Sequence, residues 1–309
     1  MTRRIAVTAI VVVVGAMAAS TARAQKKLVV GMYLPTLAGV GRAERIEAVE
    51  KLAAHLAETT GRSFSGRSFA SDKDLYAAAA KKAVHFAVVG AQTLSEQAKG
   101  WVAFASLSRR GATTGAWQIL AKAPIKSVNE LAGKSVVLAR VGRFDKEFVT
   151  NVLLAGEVAP SYFEWLKVPD TASAIQALKL GKAQGTVLPE GGSAEGFAAI
   201  VSSKPVPLPV MVNVAKVAAP IQAQVLQALL TWPGNFIGYS GWMRIKEGGV
   251  GSVRAQLMTG RPRRKPSPVA PKPFRLAARR VLADYQADVK LPSALGLFRK
   301  PSVRPDQVE

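Results

Sequence analysis

The chain contains no cysteine. Disulfides are therefore excluded, and so is a lipid-modified cysteine at an export cleavage site. Histidine is almost as scarce, since His55 and His85 are the only two. A histidine-rich metal centre is excluded, and both side chains read as structural. Acid is in short supply, with 20 Asp and Glu against 42 Lys and Arg, a formal charge of +22. Such a balance favours anionic partners: small oxyanions, phospholipid headgroups or polyanions. Nucleic acid fits poorly, because no zinc-finger spacing appears and no basic run is interleaved with aromatics.

What is present is a globular composition, 49% apolar and 20% charged over 309 residues, enough for two domains or one large one. The N-terminus carries the strongest local signal. Arg3 and Arg4 precede an apolar run from Ile5 to Ala19, and Ala22-Arg23-Ala24 follows. A basic, an apolar and a small-residue region in that order read as an export signal. The run is too short to span a bilayer comfortably, which sets a membrane anchor aside. The expected mature chain begins at Gln25, is periplasmic, and is not a lipoprotein.

Beyond the leader, strand and helix signals alternate. Lys27 to Leu34 reads as a buried strand, and Glu44 to Glu58 as a helix with Ile46, Val49, Leu52, Ala53 and Leu56 on one face. Ser71 and Asp72 are placed to cap a helix through Lys82, and Val84 to Gly90 and Trp101 to Leu107 read as strands. The pattern repeats: Ser127 to Leu131 a short helix or turn, Ser135 to Ala139 a strand, Asp145 to Gly156 a helix, Tyr162 to Val168 a strand. Thr171 to Leu180 then reads as a helix and Gly185 to Leu188 as a strand. This alternation predicts an α/β fold with mainly parallel sheets in two lobes. Pro205-Val-Pro-Leu-Pro209 cannot be a central strand and marks a crossing segment. Pro220 to Thr231 reads as a further helix. Phe236, Tyr239 and Trp242 stand at helical spacing and read as core. From Arg261 to Pro273 five prolines and five basic residues occur without an acid, an extended linker, followed by helical spacing from Phe274 to Val289.

The order of these phrases is familiar. LVVGMYLP, EKLAAHLAETTG, SDKDLYAAAAKKAVHFAVVGAQTL, IKSVNELAGKSVVLA and SAIQALKLGKAQGTVLPEG together resemble the phosphonate-type substrate-binding proteins of bacterial ABC importers. These belong to the broader type II periplasmic binding fold. The resemblance covers roughly 26–230 and rests on order more than on any one motif. It implies two α/β lobes joined by a two-segment hinge, with crossings near 112–119 and 204–212, and a ligand enclosed by hinge closure for a membrane permease. The implied division is a signal peptide over 1–24, a first lobe over 25–115 and 205–260, a second over 116–204, and a basic tail over 261–309. It implies no catalysis and no cofactor, and the chain is expected to be a monomer.

In such lobes ligands sit beyond the carboxyl ends of strands, where helix N-termini offer N–H groups to an oxyanion. The candidates are Tyr33 and Thr36, Gln92 and Thr93, Gly142 and Arg143, and Glu190. The resemblance implies serines and a threonine across 140–144. This chain has none there and keeps only Gly142, so Arg143 stands as a bidentate charged substitute. Each candidate has a plainer reading. Arg140 and Arg143 also read as solvated turn charges, Tyr33 as core, Glu190 as a loop carboxylate, and Thr36 and Thr93 as helix caps. Gly39-Val-Gly41 echoes a dinucleotide fingerprint but lacks its third glycine. Ser193 lacks the spacing of a nucleophile elbow. Two functions remain open: an extracytoplasmic solute-binding protein for a small anionic, phosphate- or phosphonate-like ligand, or a non-transporting relative acting as a sensory or interaction module through its basic surface and tail.

Overall fold

The structure, a computed structural model, describes residues 27–37, 39–96, 100–192, 195–245 and 253–257. The expected leader, the proline-rich tail and Ser193 lie outside the described residues. Among the described residues no helix is long and apolar enough to cross a membrane.

The first half alternates as read: β1 (Leu28–Tyr33), α1 (Arg42–Thr60), β2 (Phe64–Ser68), α2 (Asp72–Ala80), β3 (Phe86–Val89), α3 (Ala91–Glu96) and β4 (Val102–Ser108). Then follow β5 (Thr114–Gly115), β6 (Trp117–Lys122), β7 (Ser135–Ala139), α4 (Asp145–Glu147), β8 (Glu164–Val168), α5 (Thr171–Lys179), β9 (Gly185–Pro189) and β10 (Phe197–Ser202). The chain returns through β11 (Val206–Pro207), β12 (Val210–Asn213), α6 (Ala219–Leu230) and β13 (Gly241–Arg244).

Two sheets result, ordered β13-β4-β12-β3-β1-β2 and β10-β6-β9-β7-β8, and a two-stranded ribbon of β5 with β11 joins them. Both sheets are mixed rather than mainly parallel. β1 is parallel to β2 and β3, and β7 to β8 and β9, as βαβ crossovers require. The strands next to each crossing, β6 and β12, run antiparallel to their neighbours, because the chain enters and leaves each sheet there.

Local chemistry accounts for the elements. α1 buries Ala48, Val49, Leu52, Ala53 and Leu56. Each fully buried aliphatic side chain contributes about 1.5–3 kcal/mol. Its start is fixed by Glu44, whose carboxylate accepts the Gly41 N–H at 2.6 Å. It stops at Gly61 in the left-handed region, φ 66°. Ile46, expected on the buried face, is 38% exposed. α1 lies so close over β2 that a Cβ on Gly66 would run into the Val49 carbonyl. Ser71 caps α2 by accepting the Asp74 N–H at 3.2 Å, and Asp170 caps α5 by accepting the Ser173 N–H at 2.9 Å.

Three further sequence expectations change. The helix expected over 145–156 is a single α turn continued by a π-helix, Phe148–Leu153, which still buries Phe148, Val149, Val152 and Leu153. Phe236 and Tyr239 are not helical but pair across a tight turn before β13, although both are buried with Trp242. Val253 and Leu257, within the stretch expected to complete the first lobe, pack in the second core with Phe148 and Val152.

Candidate functional site

The ends of β1, β3, β7 and β9 converge between the lobes, and the hinge ribbon closes one side. Here a narrow cavity of about 40 Å³ is lined by Thr36, Gln92, Arg109, Trp117, Phe148, Glu190 and Tyr239, with Val206 to Pro209 from the returning crossing. Its walls are largely aromatic and aliphatic, with few polar groups, the usual make-up of a small-molecule site. A second cavity of about 230 Å³ is lined by Tyr33, Pro35, Arg42, Arg45, Phe69 and Asp170. Its Arg45 is already engaged, 3.9 Å from Asp170 and donating to the Val40 carbonyl at 3.4 Å.

Sequence reading missed Arg109. It follows β4, in a tight reversal where Arg109 and Ala112 exchange backbone hydrogen bonds of 2.8 and 3.0 Å. That turn aims the guanidinium across the Tyr239 ring, 5.2 Å from its centroid, and Nη1 donates to the Glu190 carbonyl. Among the described residues no carboxylate lies in salt-bridge range of it. Burial raises the Tyr239 phenol above its ordinary value, and the Arg109 charge opposes that shift. No sequence motif singled this arginine out.

The loop after β7 is the expected anion seat, and its amides are occupied by the protein itself. The Val141 and Gly142 N–H groups donate to Asp145 Oδ1 at 3.1 and 2.8 Å. Those of Arg143 and Phe144 donate to Glu96 Oε2 and Oε1 at 2.8 and 3.2 Å. Gln92 Nε2 bridges the two acids, donating to Glu96 Oε1 at 3.0 Å and Asp145 Oδ1 at 2.8 Å. Asp145, 1% exposed, also pairs through Oδ2 with Lys167 Nζ at 2.9 Å. Burial raises the Glu96 carboxyl above the ordinary glutamate range, the nearby Asp145 charge adds to this, and the donated hydrogen bonds oppose it.

The predicted residues therefore separate. Thr36, Gln92 and Glu190 line the cavity, with Gln92 facing the two acids as well. Tyr33 is buried, and its hydroxyl donates to the Val141 carbonyl at 2.8 Å. Thr93 is fully buried, and its hydroxyl has no hydrogen-bond partner among the described residues. The Gly142 amide is spent on Asp145. Arg143 is exposed, with its guanidinium 4.5 Å from the Phe144 ring centroid. Arg140 is exposed too. The histidines are structural: His55 Nε2 lies 2.8 Å from the Ala228 carbonyl, and His85 Nδ1 accepts the Val29 N–H at 3.1 Å. Among the described residues no cluster of three or more metal-ligating side chains occurs.

Two mixed α/β lobes, a paired crossing ribbon and a cavity between strand ends define the type II periplasmic binding fold. Solved structures of that fold superpose on most of this chain. XAC2383 from Xanthomonas citri, bound to ATP, is 12% identical and gives a TM-score of 0.61 over 75% of this chain and 97% of its own. A binding-protein component of an ABC phosphonate transporter from Pseudomonas aeruginosa is 13% identical, with a TM-score of 0.59 over 74% and 85%. PhnD1 from Prochlorococcus marinus in complex with methylphosphonate is 10% identical, with a TM-score of 0.59 over 75% and 97%. At such identities the likeness is one of fold. No protein-family model and no curated protein matches the sequence.

Proposed function

We propose that this chain is an extracytoplasmic solute-binding protein that captures a small anion for an ABC importer and performs no chemistry. The solute is phosphate- or phosphonate-like in having a compact charged head. The observation that carries the reading is Arg109, a guanidinium with no carboxylate in salt-bridge range among the described residues, on the wall of a largely apolar interlobe cavity. A cation so placed favours an anion over a neutral solute, and its planar fork suits a carboxylate, phosphonate or sulfonate. Thr36 and Gln92 stand on the same walls as hydroxyl and amide contacts, and Glu190 as an acceptor for a solute hydroxyl or amine. The export signal expected from the sequence supports a periplasmic setting, and the permease partner follows from the importer reading.

The test is thermal unfolding of residues 25–309 against phosphate, phosphonates, sulfate, sulfonates, carboxylates and amino acids at fixed ionic strength. A cognate solute at 100 times its dissociation constant adds roughly 2.7 kcal/mol, a shift of several degrees. Arg109→Ala should weaken that solute about 10- to 100-fold, from loss of a charged hydrogen bond worth about 1.5–3 kcal/mol. Arg143→Ala is the comparison, because Arg143 is exposed. If no anion shifts the folded wild type, the second reading gains: a non-transporting relative using its basic surface. The self-occupied amides after β7 favour that second reading.

A further inference from the structure

We infer that Glu96 is a built-in occupant of the anion seat, a first-lobe carboxylate standing where a bound solute's oxygens would be expected. Three features of this one contact carry the inference. The carboxylate takes two consecutive amides of the second lobe, Arg143 and Phe144, one on each oxygen. It is the two-pronged grip that a helix-start loop offers a free oxyanion. The contact crosses the lobes: Glu96 ends α3 at the edge of the first, and the amides follow β7 of the second. Finally, the carboxylate lies directly against Gly142, where a Cβ would have to displace it.

A tethered carboxylate meets these amides at an effective concentration that a dilute solute cannot match. Glu96 therefore holds the lobes together with no solute in the seat. On the solute-binding reading, a solute's anionic head is left the Arg109 side of the cavity. Asp145 completes the arrangement by taking the two preceding amides, so all four N–H groups from Val141 to Phe144 answer to internal acids.

Chemical complementation tests the inference. Glu96→Ala removes a group the size of acetate and frees both amides. In an Arg109→Ala background, which lacks the proposed solute contact, its unfolding temperature should rise saturably with acetate, and with inorganic phosphate, by several degrees over chloride at matched ionic strength, while Arg109→Ala alone stays flat. An unresponsive Glu96→Ala in that background, or an Arg109→Ala parent that responds equally, would overturn the inference. Should Glu96→Ala fail to fold, Glu96→Gln keeps the length and one acceptor oxygen but turns an N–H₂ toward a backbone N–H. Spin labels on Lys73→Cys and Lys182→Cys, exposed sites in the two lobes of a cysteine-free chain, should then report a longer or broader distance in Glu96→Gln. An unchanged distance distribution overturns the inference as well. A wild type that binds no anion in the solute panel sinks the importer reading and leaves this one standing.

Discussion

The Tyr33 hydroxyl, at the end of β1, donates to the Val141 carbonyl of the other lobe at 2.8 Å and reaches the Arg140 carbonyl at 3.2 Å. Burial pushes the phenol far above its ordinary value, so Tyr33 is a neutral donor at any ordinary pH. Tyr33→Phe keeps the ring and removes the donor, leaving a buried carbonyl one partner short. We expect a loss of about 1 kcal/mol, read from urea unfolding. Unaltered stability would show that the hydroxyl contributes nothing across the lobes.

Asp145 should prove the more sensitive position. Its Oδ1 accepts three donors while Oδ2 pairs with Lys167, whose side chain is 28% exposed. Asp145→Asn removes the charge and leaves Lys167 without it. Breaking a fully buried pair costs about 3–5 kcal/mol, and the partial exposure of Lys167 reduces this to about 2–3. Urea midpoints for Asp145→Asn and Tyr33→Phe, measured side by side, check the ranking.

Acid titration carries a definite sign. The Glu96 carboxyl is raised above the ordinary glutamate value of 4.5, first by burial and then by the Asp145 charge. Between the ordinary and the raised value the native state holds more protons than the unfolded chain. This group's contribution to stability is therefore greatest below the ordinary value and falls as pH rises through the window. Glu96→Gln cannot titrate. The stability difference between wild type and Glu96→Gln should shift against the wild type as pH rises above 4.5. A difference that stays flat or moves the other way would contradict the assignment.

The fold makes its own prediction at Gly66. Ala there meets the Val49 carbonyl of α1, a backbone atom with no rotamer to yield. We expect Gly66→Ala to cost about 1–3 kcal/mol through overpacking. Gly90→Ala, where a Cβ meets nothing within 4 Å, is the matched control. Thermal melts of the pair would separate packing from any general penalty on replacing glycine.

The sequence disclosed what is local. β1, β3 and β7 are apolar runs bounded by turns, and α1 and α5 carry regular stripes with visible caps at Asp170 and Gly61. The π-helix at 148–153 was read as α because Phe148, Val149, Val152 and Leu153 suit either winding. β6 was hidden in the expected crossing over 112–119, and β10 exposes too much of both faces to alternate clearly. At the candidate site, the sequence points to the loop over 140–144 but not to what its amides bind. Any strand-to-helix junction advertises its amides, so 140–144 stood out. The carboxylate that fills it lies 47 residues away in sequence, and nothing local to Glu96 marks it. Arg109 escaped for the same reason, since its neighbours Tyr239 and Glu190 are brought to it only by the closed fold.

The ribbon of β5 and β11 has a mechanical consequence. Val206 faces Gly115 and Pro207 faces Thr114 in antiparallel register, so the outgoing and returning chains are strapped side by side rather than acting as two separate swivels. A two-stranded strap flexes across its thin direction and resists being slid along its length. Any hinge motion between the lobes would thereby be steered toward swinging like a door, with the strap as its jamb, and away from grinding past one another.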